Sequence, residues 1–238
     1  SEHAAPPSLA GWVECAWQVR RMGAPGEHRV LPDGCIDVVW TEAVGLELVG
    51  ANSTAFPAAL SPASAGVGVR FRVGAAPAVV GQSGAALRDA RLGAGEAWGD
   101  SGRRLEAALW EAPGAQARIG AMLSWLERRA GAAAAPDPLV REVAGRLARA
   151  PQAGAGELAS GLWVSERQLR RRVVSQVGYG PKRLARVLRL QRALEIARSR
   201  QDASLAEVSY AAGYTDQPHF TNECVALAGV APSRLLSS

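Results

Sequence analysis

Residues 156–178 read GELASGLWVSERQLRRRVVSQVG, and their spacing describes two helices with a short break between them. Leu158, Ala159 and Leu162 share one face of the first helix, and Trp163 and Val164 interrupt it. Ser165 then offers a side-chain oxygen to cap a second helix, with Gln168 three residues on to complete a reciprocal capping box. The second helix buries Leu169 and Val173 and leaves Glu166, Arg167, Arg170 and Arg171 outward near its N-terminal end, with Arg172 following. A helix-turn-helix presents that end to base edges in the major groove. The planar fork of a guanidinium matches O6 and N7 of guanine, and Arg167 and Arg171, four apart, can point together. An Arg run can equally be a solvated helix face. Its place at the start of a capped second helix favours DNA contact.

A second copy follows in SLAEVSYAAGYTDQPHFTNECVALAGVAPSRL, residues 204–235. Leu205, Val208, Ala211 and Ala212 fit one helix, Gly213 a turn, and a further helix starts at about Asp216 with Phe220 and Cys224 on its buried side. Thr215 and Asp216 stand at the start of that helix, and Gln217, His219, Asn222 and Glu223 are its expected exposed positions. Between the copies, RLARVLRLQRALEIARSR carries Leu184, Val187, Leu188, Leu194 and Ile196 at helical spacing, which predicts a long connecting helix.

Working toward the N-terminus, AGAAAAPDP (Ala130 to Pro138) marks a boundary, with residues 131–138 as linker and 139–238 as an all-α domain. Charge changes there too: residues 1–135 hold 12 basic and 13 acidic side chains, residues 136–238 hold 15 and 9. The positive half is the nucleic-acid candidate. Residues 1–130 read as β-rich, with runs at Val13 to Val19, Cys35 to Trp40, Gly45 to Val49, Val67 to Val73 and Ala78 to Val80 between turn signals. From about Gly102 the period becomes helical. Leu105, Leu109 and Trp110 share a face, then Ile119, Met122, Leu123 and Leu126 share another. The expected class is α+β, with a sandwich or partial barrel plus two amphipathic helices ahead of two helix-turn-helix units. The helix around Arg118 to Arg129 could instead pair with a second copy, so a homodimer is a further expectation.

The ordered series ELA (Glu157 to Ala159), S-x-x-x-L-x-R from Ser165, the Gly178 to Pro181 connection, R-x-x-R-x-x-R-A-L from Arg186, the stretch Ala206 to Tyr214, His219-Phe220 and G-V-x-P-S from Gly229 resembles the AraC/XylS family of bacterial regulators. It spans about Leu139 to Leu236. The resemblance implies two recognition helices held by the connecting helix, entering adjacent major-groove segments about 34 Å apart. Double-stranded DNA is then the partner, and contact with RNA polymerase is a further expectation. The implied DNA-binding positions are Ser165, Glu166, Arg167, Gln168, Arg170, Arg171, Arg172 and Lys182 in the first unit and its connection, and Thr215, Asp216, Gln217, His219 and Asn222 in the second. This chain departs from the family pattern in the second unit. The family commonly has Arg where Asn222 stands, an aromatic where Cys224 stands, and basic residues near Val225 and Ala226. The first unit is expected to dominate affinity.

The stretches VLPDGCIDVVW, GANSTAF and GVRFRVGAAPAVVG also resemble the front domain of a subset of such regulators, which implies a small-molecule effector of unnamed identity. Candidate effector-binding residues are Trp17, Cys35, Asp37, Trp40, Asn52, Phe56, Arg70 and Arg72. Large aromatics more often fill cores than line pockets. Cys15, Cys35 and Cys224 are too few and too irregular for a disulfide or zinc framework, and no metal site or cofactor is expected. A regulator switched by alkylation, oxidation or metal binding at a front-domain thiol stays open as the alternative. Enzymatic chemistry has little support: no nucleophile elbow, phosphate-cradling loop or HExxH occurs, and His28 alone is left as a front-domain base. With no signal-like start and no long apolar run, a cytoplasmic protein is expected.

Overall fold

The computed structural model describes residues 1–20, 26–60, 65–200 and 202–236. Its elements are β1 (Glu2–Ala4), a 3-10 turn at Pro7–Leu9, β2 (Val13–Arg20), β3 (Gly26–Val30), β4 (Asp37–Thr41), β5 (Gly45–Val49), β6 (Phe56–Leu60) and β7 (Ala65–Phe71). There follow α1 (Ala76–Val80), α2 (Gly84–Leu87), β8 (Arg91–Gly93), α3 (Ala94–Glu111) and α4 (Ala115–Ala130). The remainder is helical: α5 (Pro138–Arg149), α6 (Ala155–Ser160), α7 (Glu166–Val177), α8 (Pro181–Ser199), α9 (Leu205–Ala211), α10 (Gln217–Ala228) and α11 (Pro232–Leu236). The class is α+β, as the patterning predicts.

Strands β1-β2-β7-β4-β5-β8 form one antiparallel sheet, and β3 pairs with β6 in a second. Alternation sorts the large sheet into two faces. Val38 and Trp40 on β4 lie opposite Val69 and Val67 on β7 and Leu48 and Leu46 on β5, and all six are buried. Helices α3 and α4 cover this apolar face. The other face carries Asp37, Val39, Arg70 and Trp17, all half-buried.

Two expectations change, and a third point left open is decided. Ala78 to Val80 is helix rather than strand: Pro77 sits in the first turn, Gly81 closes α1 in a left-handed conformation (φ 77°), and Ala76, Val79 and Val80 are buried at helical spacing. Helix α3 starts at Ala94, eight residues before the period becomes legible, because Gly99 (φ 56°) kinks it and breaks the pattern. Of the two readings of α4, the structure shows the one in which it closes the β-rich part. Ile119, Met122 and Leu126 are buried within this chain, where α4 packs on α3, β7 and α1.

Residues 131–137 connect α4 to α5. Asp137 caps α5, accepting from the backbone N–H of Leu139 and Val140. In the helical part, α8 is the spine, packed against α5, α7, α9 and α10. No helix among the described residues is long and apolar enough to cross a membrane.

Candidate nucleic-acid interface

Each recognition helix is fixed at both ends. Ser165 Oγ accepts from the N–H of Gln168 at 3.2 Å, and Gln168 Oε1 accepts from the N–H of Ser165 at 3.0 Å. This closes the capping box at the start of α7. Gly178, at φ 102°, ends it. Asp216 caps α10 by accepting from the N–H of His219 at 2.7 Å, and Gly229 ends it. Leu169, Val173 and Val177 anchor α7, while Phe220, Cys224 and Leu227 anchor α10. These anchors leave Glu166, Arg167, Arg170 and Arg171 exposed on the first helix and Gln217 and Asn222 on the second.

Between the two helices runs a basic furrow made of two adjoining hollows, each of about 510 Å³. The first is lined by Arg167 and Arg170 of α7 and by Lys182, Arg183 and Arg186 of α8. The second shares Lys182 and Arg186 with it and continues past Arg189 to His219 and Glu223 of α10. The cations outnumber the two carboxylates that line the furrow, Glu166 and Glu223, and a concave surface with such an excess focuses the field and draws phosphate. Lys182 lines both hollows. Arg183, Arg186 and Arg189 are functional candidates outside the contacts expected from the sequence, although their spacing of three already places them on one side of the connecting helix.

Several expected contacts have other partners. Arg172 turns back from α7 and its Nε donates to Asp137 Oδ2 at 2.8 Å, joining α7 to the start of α5. The Gln168 amide oxygen is engaged in the capping box. Thr215 and Asp216 are exposed at the helix start, and Asp216 acts as cap. His219 is half-buried, edge-on to Tyr214 with ring centroids 5.2 Å apart. Glu223, expected outward, is only 8 % exposed. Its Oε1 accepts from Arg186 Nε at 2.6 Å, so a carboxylate neutralises one cation of the furrow.

The front domain grips both units from behind. The loop around Ser53 bridges the start of α8 and the end of α10: Arg183 Nη2 donates to Ser53 O, and Ala55 N–H donates to Leu227 O at 2.7 Å. Arg29 Nη1 adds a bond to Ala228 O at 3.0 Å, so two terminal carbonyls of α10 are satisfied by the other domain. The Pro32 to Gly34 turn meets α8, where Gln191 Nε2 donates to Pro32 O at 2.7 Å. At Gly34 (φ 83°) a Cβ would come within 3.1 Å of Leu184. Gly84 of α2 lies so close to the end of α7 that a Cβ would stand 2.6 Å from the Gln176 carbonyl carbon.

Of the expected effector residues, the structure gathers Asp37 and Arg70 with Cys35 beside them, and sets Trp17 on the same sheet face. Trp17 lies over Gly68, where a Cβ would meet its ring at 2.3 Å. Arg70 bridges Asp37 Oδ1 and Asp33 Oδ2, each at 3.2 Å. Burial pushes the Asp37 carboxyl up to about 6, with Arg70 opposing. Burial also pushes the Cys35 thiol well up, reinforced by Asp33 and Asp37, and burial raises Cys15 and takes Cys224 to about 12.

The other expected effector residues lie apart. Trp40 is in the core on the opposite face, beneath the Arg118 guanidinium at 4.1 Å from its ring. Arg72 is held by Ala10 O and Glu14. Phe56 lies under Arg91 at 5.5 Å, and Asn52 is half-buried in the loop that leads to Ser53. The side chain of His28 lies outside the described residues. Among the described residues, no group of three His, Cys, Asp or Glu is placed to hold a metal ion.

A family model described as a helix-turn-helix domain matches residues 158–238, and one described as a domain of unknown function (DUF6597) matches residues 1–93. A search among curated proteins returns no match. Among solved structures, the apo form of a ToxT variant from Vibrio cholerae strain SCE256 aligns over 94% of this chain and 96% of its own, with TM-score 0.52 and 10% identity. ToxT from Vibrio cholerae O395 bound to (E)-4-(8-methylnaphthalen-1-yl)but-3-enoic acid covers 93% of this chain and 97% of its own, with TM-score 0.51 and 11% identity. The C-terminal domain of AraT, a response regulator from Geobacillus stearothermophilus, is 22% identical over 42% of this chain and 85% of its own, with TM-score 0.40. At such identities the ToxT structures speak for the fold. The match over residues 158–238, with the ordered motifs within it, identifies an AraC-type helix-turn-helix DNA-binding domain at the C-terminal end of this chain.

Proposed function

We propose that this regulator binds duplex DNA with unequal recognition helices, and that a small molecule in the front domain controls the grip. Arg167, Arg170 and Arg171 of α7 are the principal base and phosphate contacts, and Gln217, His219 and Asn222 of α10 make a second, weaker reading. Lys182, exposed at the start of α8, adds a phosphate contact from the furrow. The observation that carries control by an effector is the brace. One front-domain loop, Ser53 to Ala55, bonds both the start of α8 and the end of α10. A ligand that moves that loop alters how the two units are set against each other, which is the differential contact that any allosteric coupling needs.

The half-buried sheet face with Trp17, Asp37 and Arg70 is the proposed effector site. It offers an aromatic surface and a guanidinium already positioned by two carboxylates. ToxT, of the same fold, is described with a naphthyl butenoic acid bound. Aromatic carboxylic acids are therefore the first class to screen here. A thiol switch is less well supported, because burial raises all three thiols and disfavours the thiolate that alkylation or oxidation requires.

The test joins two measurements on the full chain. Binding-site selection on random DNA supplies a duplex, and a thermal-shift screen of aromatic acids supplies a ligand. A ligand that raises Tm is expected to change Kd for the selected duplex by about 5- to 150-fold. A ligand that stabilises the chain while leaving Kd unchanged contradicts effector control. Unchanged Tm in Trp17→Ala and Arg70→Ala chains with the same ligand is expected, and a retained shift in both would move the site elsewhere.

A further inference from the structure

The turn of the first helix-turn-helix unit carries a residue that its backbone does not ask for. Trp163 sits at φ 56°, in the left-handed region that favours glycine. Among the described residues, Asp89 is the other non-glycine with positive φ. Asp89 has a local reason, since aspartate tolerates this region and its Oδ1 accepts from the Ser53 N–H at 2.5 Å. Trp163 has none of these. Its side chain is 95 % exposed, the most exposed of the large apolar residues described.

The second unit provides an internal control. Helix α6 closes with Val164 N–H donating to Ala159 O at 3.1 Å and Trp163 N–H donating to Ser160 O at 3.2 Å. Helix α9 closes with the same pair of bonds, from Tyr214 to Ser209 O and from Gly213 to Tyr210 O, each at 3.0 Å. Both are Schellman closures, and both need a left-handed residue just past the helix end. The second unit places Gly213 there, at φ 87°, and the first places a tryptophan. A bulky residue held in this conformation and turned to solvent points to a contact made outside the free chain.

Its position narrows the partner. Two residues after Trp163, Ser165 caps the recognition helix, and exposed Arg167, Arg170 and Arg171 follow. The N-terminal end of that helix meets the major groove, so the turn leading into it stands at the groove edge, over the sugar–phosphate backbone. We propose that Trp163 is a DNA-backbone contact. Its indole face covers a deoxyribose and its Nε1–H donates to a phosphate oxygen, which is the polar contact open to a donor-only side chain. The contact fixes the angle at which α7 enters the groove. This inference rests on α7 being a recognition helix.

The test uses the full chain, the duplex obtained by selection from random DNA, and an unrelated duplex of the same length. Trp163→Gly relieves the turn, so the thermal unfolding midpoint is expected to rise while affinity for both duplexes falls on the order of tenfold, the scale of losing one aromatic platform. Because backbone contacts carry no sequence information, the ratio of the two affinities is expected to hold. Trp163→Phe retains the apolar face and is expected to recover part of the loss. A glycine variant that is as stable or more stable and binds both duplexes as tightly as the parent overturns the proposal. If that variant also fails to activate transcription, the indole belongs to RNA polymerase instead. Arg171→Ala separates the two levels: weakened binding there with none from Trp163→Gly removes the indole contact alone, and no weakening from either removes the recognition-helix reading with it.

Discussion

The two helix-turn-helix units share a plan and differ in almost every residue that could touch DNA. Both end their first helix with the same pair of backbone bonds and cap the second with a side-chain oxygen, Ser165 in one and Asp216 in the other. The first unit exposes three arginines along α7. The second exposes Gln217 and Asn222, half-buries His219, and turns a carboxylate, Glu223, inward onto Arg186. The scaffold is therefore repeated while the charge is not. Affinity for a polyanion follows charge, and discrimination between bases can follow neutral amides and imidazoles.

The contrast can be broken at several strengths. The largest effect is expected on the shared scaffold: Phe220→Ala should cost about 3–5 kcal/mol and Leu169→Ala about 2–5 kcal/mol of stability, read by denaturant unfolding. Comparable losses would show that both units are cooperatively folded, whatever their charge. Arg171→Ala should next weaken binding to a selected duplex by about 1–3 kcal/mol. Asn222→Ala should cost less than that, and an equal loss would erase the inequality. Ser165→Ala removes the cap that sets the start of α7 and should cost about 1 kcal/mol of stability. The smallest change in affinity is expected from Glu223→Gln, which frees Arg186 for phosphate. Its signature is a log Kd against log salt slope steeper by about one, and an unchanged slope would mean that Arg186 stays out of contact.

Much of the helical half was legible because its signals are local. Ser165 and Gln168 are three apart, Leu169 and Val173 four apart, and such spacings fix a face without any tertiary knowledge. The same locality made Arg172 misleading. It is adjacent to Arg171 in sequence, yet one residue turns a helix by about 100°, which aims Arg172 at Asp137, 35 positions away. Glu223 was read as outward for the same reason: its partner, Arg186, lies on another helix. In the front domain, Gly45 to Val49 reads correctly as a strand from its bounding turns. Trp40 and Trp17 could not be told apart, because which face of the sheet α3 and α4 cover is decided by the packing of distant segments. The brace from Ser53 and Ala55 to α8 and α10 left no sequence signal, since these two residues contribute only backbone atoms to it.

The proposed inequality is that α7 makes the principal base and phosphate contacts and α10 a second, weaker reading. It is tested most directly by measuring the full chain's Kd for a selected duplex in which either major-groove segment, the one facing α7 or the one facing α10, is scrambled in turn. Scrambling the α7 segment is expected to cost the larger share of specific affinity, and scrambling the α10 segment a smaller but measurable one. Equal losses, or a larger loss from the α10 segment, would contradict the account.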